Sequence, residues 1–212
     1  MSTIYENIFS LKEIEILLKY FDNQPYSNIQ EIDGVLWCKN KDLDYQIPNS
    51  LVHKIVRPKI QSLIGDHEIN NGSYKESYFP YATHIDGPLL RGVLDDNIYQ
   101  IETNLTHNIS ILIPLSENPV FKTVTFNIHD TKYNGMGSTL KEEWLISSND
   151  LDLNEFDHIQ EDVRKDIAKL PLDTIFHWKI GSVFTWSKDQ LHTSTNFAKY
   201  NLNKKFMILF IA

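Results

Sequence analysis

Tyr74-Lys75-Glu76-Ser77-Tyr78-Phe79-Pro80-Tyr81-Ala82-Thr83-His84-Ile85-Asp86 is the stretch on which the reading of the fold turns. Its tyrosines at 74, 78 and 81 and its closing isoleucine predict a strand from Tyr74 to Ile85. Residues two apart on a strand share a face, so the His84 imidazole and the Asp86 carboxylate are expected to project side by side. Further strand-like segments follow: His107 to Leu115, rich in Ile and Leu; Val120 to Ile128, where Val124, Phe126 and Ile128 alternate with Thr125 and Asn127; Phe176 to Trp186; Leu191 to Ser194; and the apolar Lys205 to Ile211. These runs lie close together with no alternating helices, which points to an antiparallel sandwich or barrel and away from a parallel doubly wound sheet.

The N-terminal third reads differently. Ser10-Leu-Lys-Glu13 is a capping box, opening a helix with Leu11, Ile14, Leu17, Leu18 and Phe21 at helical spacing. Asn23-Gln24-Pro25 ends it. Gly34 to Trp37 reads as a short strand. Ser50 opens a second helix with Leu51, Val52, Ile55, Ile60, Leu63 and Ile64 on its apolar side; Pro58 is expected to kink it and Gly65 to stop it. Both helices are expected to cover one face of a sheet. Residues 129–175 are polar and acidic, with a helix expected at Glu155–Leu170, and read as an insertion serving as a lid or a dimer contact. With no repeat, low-complexity tract or linker, residues 1–212 read as one domain: 1–70 as helical support, 73–212 as the β core.

The chain has 212 residues, 42% apolar and 12% aromatic, enough for a sizeable core. No apolar run approaches the roughly 20 residues of a membrane span. The start, Met1 to Glu6, shows no basic stretch before an apolar one, so no signal peptide is expected. The single cysteine, Cys38, excludes an internal disulfide, fits a reducing cytoplasm and reads as a small core residue. Net charge is −8, and residues 141–166 hold nine acids against three bases. That balance argues against an extended nucleic-acid surface and mildly favours a cationic or neutral substrate over a polyanion.

The chemistry rests on His84, Asp86 and a lone distant histidine, His192, within Trp186-Ser-Lys-Asp-Gln-Leu-His192-Thr193. Two imidazoles and one carboxylate, with three positions left open, suit non-haem Fe(II) that must also bind a cosubstrate and O2. Each residue has a competing reading: His84 and Asp86 as a strand end before the turn Asp86-Gly87-Pro88, His192 as a satisfied core histidine. The remaining histidines lack a carboxylate two residues away, and only His107 and His177 stand near predicted strands as substitutes.

Strand, His-X-Asp, further strands, a lone late His and a closing strand with a basic start resemble the Fe(II)/2-oxoglutarate-dependent dioxygenases, closest to their prolyl-hydroxylase-like and phytanoyl-hydroxylase-like branches. The resemblance covers roughly 73–212. It implies a mainly β fold with flanking helices: a double-stranded β-helix (jelly-roll, cupin-like) with the N-terminal helices packed on one sheet. It also implies Fe(II) on His84, Asp86 and His192, with 2-oxoglutarate as cosubstrate and O2 as oxidant. Oxidative decarboxylation to succinate and CO2 would accompany hydroxylation of a C–H bond. A carboxylate at Asp86 favours hydroxylation, since related halogenases place a small residue there.

The family holds the distal carboxylate of 2-oxoglutarate with a basic residue on the last strand, usually Arg. The three arginines here, Arg57, Arg91 and Arg164, all precede His192. A lysine must then serve, best aligned as Lys205, or Lys204 one residue earlier; the two point to opposite faces, so only one fits. Lys122 and Arg91 are more distant alternatives, and strand-edge protection is the competing reading of Lys204 and Lys205. Tyr74 and Tyr81, ten and three residues before His84, match tyrosines of the prolyl-hydroxylase branch, one of which binds 2-oxoglutarate; Tyr78 is an alternative, and an aromatic core stripe the competing reading. Two rivals remain: a cupin-like metalloenzyme without 2-oxoglutarate, and a non-catalytic jelly-roll binding module. A small-molecule or peptide substrate, no membrane and a possible homodimer complete the expectations. No motif in 87–106 or 129–175 names the substrate.

Overall fold

In the computed structural model, residues 2–44, 46–65, 67, 69–86, 89–94, 97–102, 109–130 and 140–211 are described. Ser10 caps α1 (Leu11–Asp22) through the full capping box, its hydroxyl accepting from the Glu13 amide while the Glu13 carboxylate accepts from the Ser10 amide. Ser50 caps α2 (Leu51–Ile64) through the His53 amide, and the helix runs on through Pro58 to Gly65. Both helices bury one stripe: Ile14, Leu17 and Phe21 from α1, and Val52, Val56 and Ile60 from α2.

That stripe lies against a seven-stranded antiparallel sheet. Its strands are β1 (Thr3–Tyr5), β2 (Asn28–Ile32), β3 (Val35–Asp42), β4 (Ile69–Ser77), β7 (Ile109–Pro114), β10 (Val183–Ser187) and β12 (Lys204–Ile211), in the order β1-β10-β7-β12-β4-β3-β2. The hairpin β5 (Leu89–Leu94) and β6 (Asn97–Glu102) stands apart from it. A three-stranded sheet, β11-β8-β9, is made of β8 (Lys122–His129), β9 (Leu172–His177) and β11 (Gln190–Ser194). The architecture is the mainly β jelly-roll with helices on one sheet.

Period-2 alternation sorts side chains between two cores. On β12, Met207, Leu209 and Ile211 join the helices, with Ile111 and Ile113 of β7 and Tyr74 of β4; Phe21 stacks on Tyr74 at 4.5 Å. Phe206 and Ile208 face the other way, with Leu112, Phe184, Trp186, Phe121, Phe176, Trp178 and Phe197, into an aromatic interior between the sheets. A third core lies on the outer side of the smaller sheet. There α3 (Glu161–Ile167) and the segments before it bring Trp144, Phe156, Ile159, Val163, Ile167 and Leu170 onto Val124, Phe126, Ile128 and Leu191.

Several expected boundaries shift. The strand expected from Tyr74 to Ile85 ends at Ser77, and residues 78–83 leave the sheet. The helix expected at Glu155–Leu170 is a 3-10 turn at Leu153–Phe156 followed by the short α3. Phe176 to Trp186 is two strands split by a turn at Gly181, whose φ of +85° suits glycine and whose carbonyl accepts from the Ile8 and Phe9 amides. Residues 140–171 form a packed layer with its own apolar core; residues 131–139 lie outside the description. The hairpin of β2 and β3, with Asp33 and Gly34 both at positive φ, is an element beyond the short strand expected there.

Candidate active site

His84 and His192 meet across an isolated antiparallel bridge: each amide donates to the other's carbonyl at 2.9 Å. The Asp86 amide donates to the Lys188 carbonyl at 2.9 Å. Backbone bonding from the two ends of the fold thus fixes all three residues before any side chain is considered. The imidazoles face each other with ring centroids 4.2 Å apart. Asp86 Oδ1 stands 3.7 Å from His192 Nε2 and 4.0 Å from His84 Nε2, and the three ligand atoms lie within 4.8 Å of one another.

Hydrogen bonds behind the three set their chemistry. His84 Nδ1–H donates to the Ala82 carbonyl at 2.7 Å, and His192 Nδ1–H to the Gln190 carbonyl at 3.0 Å. Both Nε2 lone pairs therefore point at the Asp86 carboxylate, as metal-ligating histidines require. Burial, reinforced by the facing His192, pushes the His84 pKa down to about 4, leaving it neutral near pH 7. Burial acts to raise the Asp86 pKa, but the facing imidazoles together with side-chain hydrogen bonds, that of Trp186 among them, outweigh it and the carboxyl is held below its ordinary range. Trp186 Nε1–H donates to Asp86 Oδ2 at 2.9 Å, leaving Oδ1 facing the histidines. Two imidazoles and a carboxylate form a set that can hold a divalent metal.

The triad lies on a cavity of about 120 Å³ between the sheets. Its lining includes Lys75, Tyr81, Thr193, Ser194 and Lys204. Lys204, at the start of β12, is buried between Trp178, Phe197 and Phe121, its Nζ 4.4, 4.7 and 5.5 Å from their ring centroids. Its hydrogen bond is to the Lys122 carbonyl at 3.3 Å, and among the described residues no carboxylate pairs with it. Burial pushes its pKa down to about 7. The hydroxyls of Thr193 and Ser194 are buried without a hydrogen-bond partner among the described residues.

The other sequence candidates fall elsewhere. Lys205 is on the opposite face of β12 from Lys204, paired across the ladder with Glu76. Tyr74 faces the helices, where its hydroxyl donates to Glu76 Oε1 at 2.8 Å. Strand parity places both residues away from the cavity, correcting the expectation that they line it. Tyr78 also donates to Glu76, at 3.1 Å, while Tyr81 does line the cavity, its ring 5.7 Å from that of His84. Lys122 is taken by Glu155, at 2.5 and 2.7 Å. His177 is exposed at the end of β9; His107 and the side chain of Arg91 lie outside the described residues. Sequence reasoning missed Lys75 and Trp186. Trp186 sits within the quoted segment before His192, but its aim at Asp86 comes from the pairing of β10 with β7.

No family model matches the chain, and no curated protein matches it in sequence. Solved structures do match its fold. The non-heme alpha ketoglutarate dependent epimerase SnoN from nogalamycin biosynthesis superposes with a TM-score of 0.62 at 10% identity, over 99% of this chain and 77% of that one. HygX from Streptomyces hygroscopicus, crystallised with nickel and 2-oxoglutarate, gives 0.57 at 11% identity, over 100% and 82%. An oxidoreductase of the 2OG-Fe(II) oxygenase family from Burkholderia pseudomallei gives 0.53 at 10%, over 100% and 84%. At these identities the likeness speaks for architecture: along essentially its whole length, this chain has the fold of the Fe(II)/2-oxoglutarate-dependent oxygenases.

Proposed function

We propose that this protein is a non-haem iron oxygenase that couples decarboxylation of 2-oxoglutarate to hydroxylation of a small organic substrate. The observation that carries the reading is one cavity holding both a two-His, one-carboxylate cluster and a buried lysine without a counter-anion among the described residues. His84, Asp86 and His192 would hold Fe(II). Bound there with 2-oxoglutarate and O2, the metal supplies oxidative decarboxylation to succinate and CO2 and the insertion of oxygen into a C–H bond.

The residues of the chain do the rest. Lys204 in its protonated form offers a positive charge to the distal carboxylate of 2-oxoglutarate, and the Ser194 hydroxyl, on the same face of β11 as His192, is a donor for its oxygens. Tyr81 packs beside His84, and Trp178, Phe197 and Phe206 keep the wall apolar and water out. Asp86 fills the carboxylate position, which favours oxygen transfer over halide transfer. The fold itself does not select among outcomes, since the similar structures include proteins named as an epimerase and a carbocyclase.

Anaerobic addition of Fe(II) and then 2-oxoglutarate tests the reading. A weak visible charge-transfer band is expected, followed by succinate release on admitting air. Iron-loaded protein with no band and no succinate would favour a cupin-like metalloenzyme that does not use 2-oxoglutarate.

A further inference from the structure

We infer that the substrate is a small organic acid whose carboxylate pairs with Lys75. The inference rests on the oxygenase reading above and names the substrate class for that same site.

Lys75 lies on β4 opposite Phe206 of β12, and Lys204 lies opposite Ser77. Both lysines therefore enter the cavity from the same face of the larger sheet as diagonal neighbours on adjacent strands, about 7–8 Å apart at the backbone. Lys75 makes no hydrogen bond or ion pair with any described residue; its Nζ lies 5.7 Å from the Tyr81 ring centroid. It feels the Asp86 carboxylate at a distance, and burial pulls its pKa below the ordinary lysine value.

Charge accounting shows why one anion is not enough. With both lysines protonated, a divalent metal, Lys75 and Lys204 bring four positive charges to the cavity. Asp86 and the two carboxylates of 2-oxoglutarate bring three negative ones. One carboxylate of the cosubstrate is committed to the metal and the other to Lys204, so Lys75 is left unmatched. An uncompensated charge in a dry cavity is costly, and a substrate with one negative charge removes the cost. A carboxylate fits this balance, whereas a phosphate dianion overshoots it. Lys75 also offers a single point charge, without the guanidinium fork that suits phosphate. The acids of 141–166, whose sign favoured a cationic or neutral substrate, contribute nothing to the cavity lining. The local charge therefore decides.

The test uses the Mn(II)–2-oxoglutarate complex of the whole protein, held without air, with wild type compared to Lys75→Met and Lys204→Met. The probes are free L-amino acids and short straight-chain carboxylic acids, each alongside its primary amide, read by thermal shift. At least one acid should bind where its amide does not, and Lys75→Met should weaken that acid at least about thirtyfold. Lys75→Met should hold 2-oxoglutarate within about threefold of wild type, while Lys204→Met loses it. The inference is overturned if Lys75→Met loses 2-oxoglutarate as Lys204→Met does, if acids and amides bind alike, or if no acid binds. Failure of wild type to bind 2-oxoglutarate would instead sink the oxygenase reading itself.

Discussion

His84 and His192 are tied to each other twice through their backbones, and each donates its Nδ1–H to the carbonyl two residues before itself. His84 lies outside the named strands, and its two bonds to His192 of β11 set the imidazoles side by side. None of the backbone bonds needs the ring. His84→Ala and His192→Ala are therefore expected to fold, and to lose only what the rings hold. For wild type, Mn(II) or Ni(II) at a hundred times Kd should stabilise by about 2.7 kcal/mol, a Tm rise of about 5–10 °C for a chain of this size. Either alanine variant should show no rise by calorimetry and no succinate release. Turnover retained in His192→Ala would remove the triad from the mechanism.

Trp186 positions the carboxylate. Its indole N–H holds Asp86 Oδ2, so Oδ1 is the oxygen turned to the histidines. Trp186→Phe keeps most of the packing against Phe184, whose ring centroid is 5.2 Å away, and removes the donor. Metal affinity should fall about 10–100-fold, as for other residues behind a ligand, with little change in apo Tm. Metal titration by calorimetry measures both, and unchanged affinity would make Trp186 a packing residue alone.

Much of this arrangement was legible in the sequence, and the part that was not has a definite physical cause. The three triad residues announce themselves because few residue types ligate iron and their order along the chain is informative. Strand parity is not announced in the same way. Reading one strand from Tyr74 to Ile85 carries period-2 alternation across residues 78–83, where the chain has left the sheet. The face relative to His84 then reverses: the ten-residue offset by which the resemblance picks Tyr74 leaves it facing the helices, and Lys75, one residue on, enters the cavity. The same ambiguity left Lys204 and Lys205 undecided until pairing with Ser77 and Glu76 fixed the register. Asp33-Gly34 is a different case: a two-residue hairpin signal stood in the sequence, but the polar run before it hid β2.

Tyr74 gives a test that separates core from site. Glu76 accepts from Tyr74, Tyr26 and Tyr78 at 2.8, 3.1 and 3.1 Å. Burial works to raise the Glu76 pKa, yet these hydroxyls and the charge of Lys205 outweigh it and hold the pKa below the ordinary value. Tyr74→Phe removes one donor from a buried carboxylate and should cost about 1.5–3 kcal/mol of stability. Affinity for 2-oxoglutarate should be unchanged. A depressed folded-state pKa contributes stability above the unfolded value and loses it as pH falls, so the wild-type advantage over Tyr74→Phe in urea melts should shrink below about pH 4. A loss of 2-oxoglutarate binding in this variant would return Tyr74 to the site.

Lys204 sets the pH dependence of cosubstrate binding. In the free protein its pKa is pushed down to about 7 by burial, so above that pH the side chain is largely neutral. A bound carboxylate favours the ammonium and raises the pKa again. Binding above pH 7 therefore takes up a proton, and the Kd for 2-oxoglutarate should rise about tenfold per pH unit there while staying flat below it. Apo stability runs the opposite way: between about 7 and the ordinary 10.5, the unfolded chain holds a proton that the folded chain lacks, so this lysine makes folding more favourable as pH rises. Lys204→Arg keeps its charge throughout the range and should flatten the binding profile, whatever its absolute affinity. Titrating 2-oxoglutarate into the Mn(II) protein from pH 6 to pH 9 reads the slope, and a flat wild-type profile would show that the distal carboxylate is held by another group.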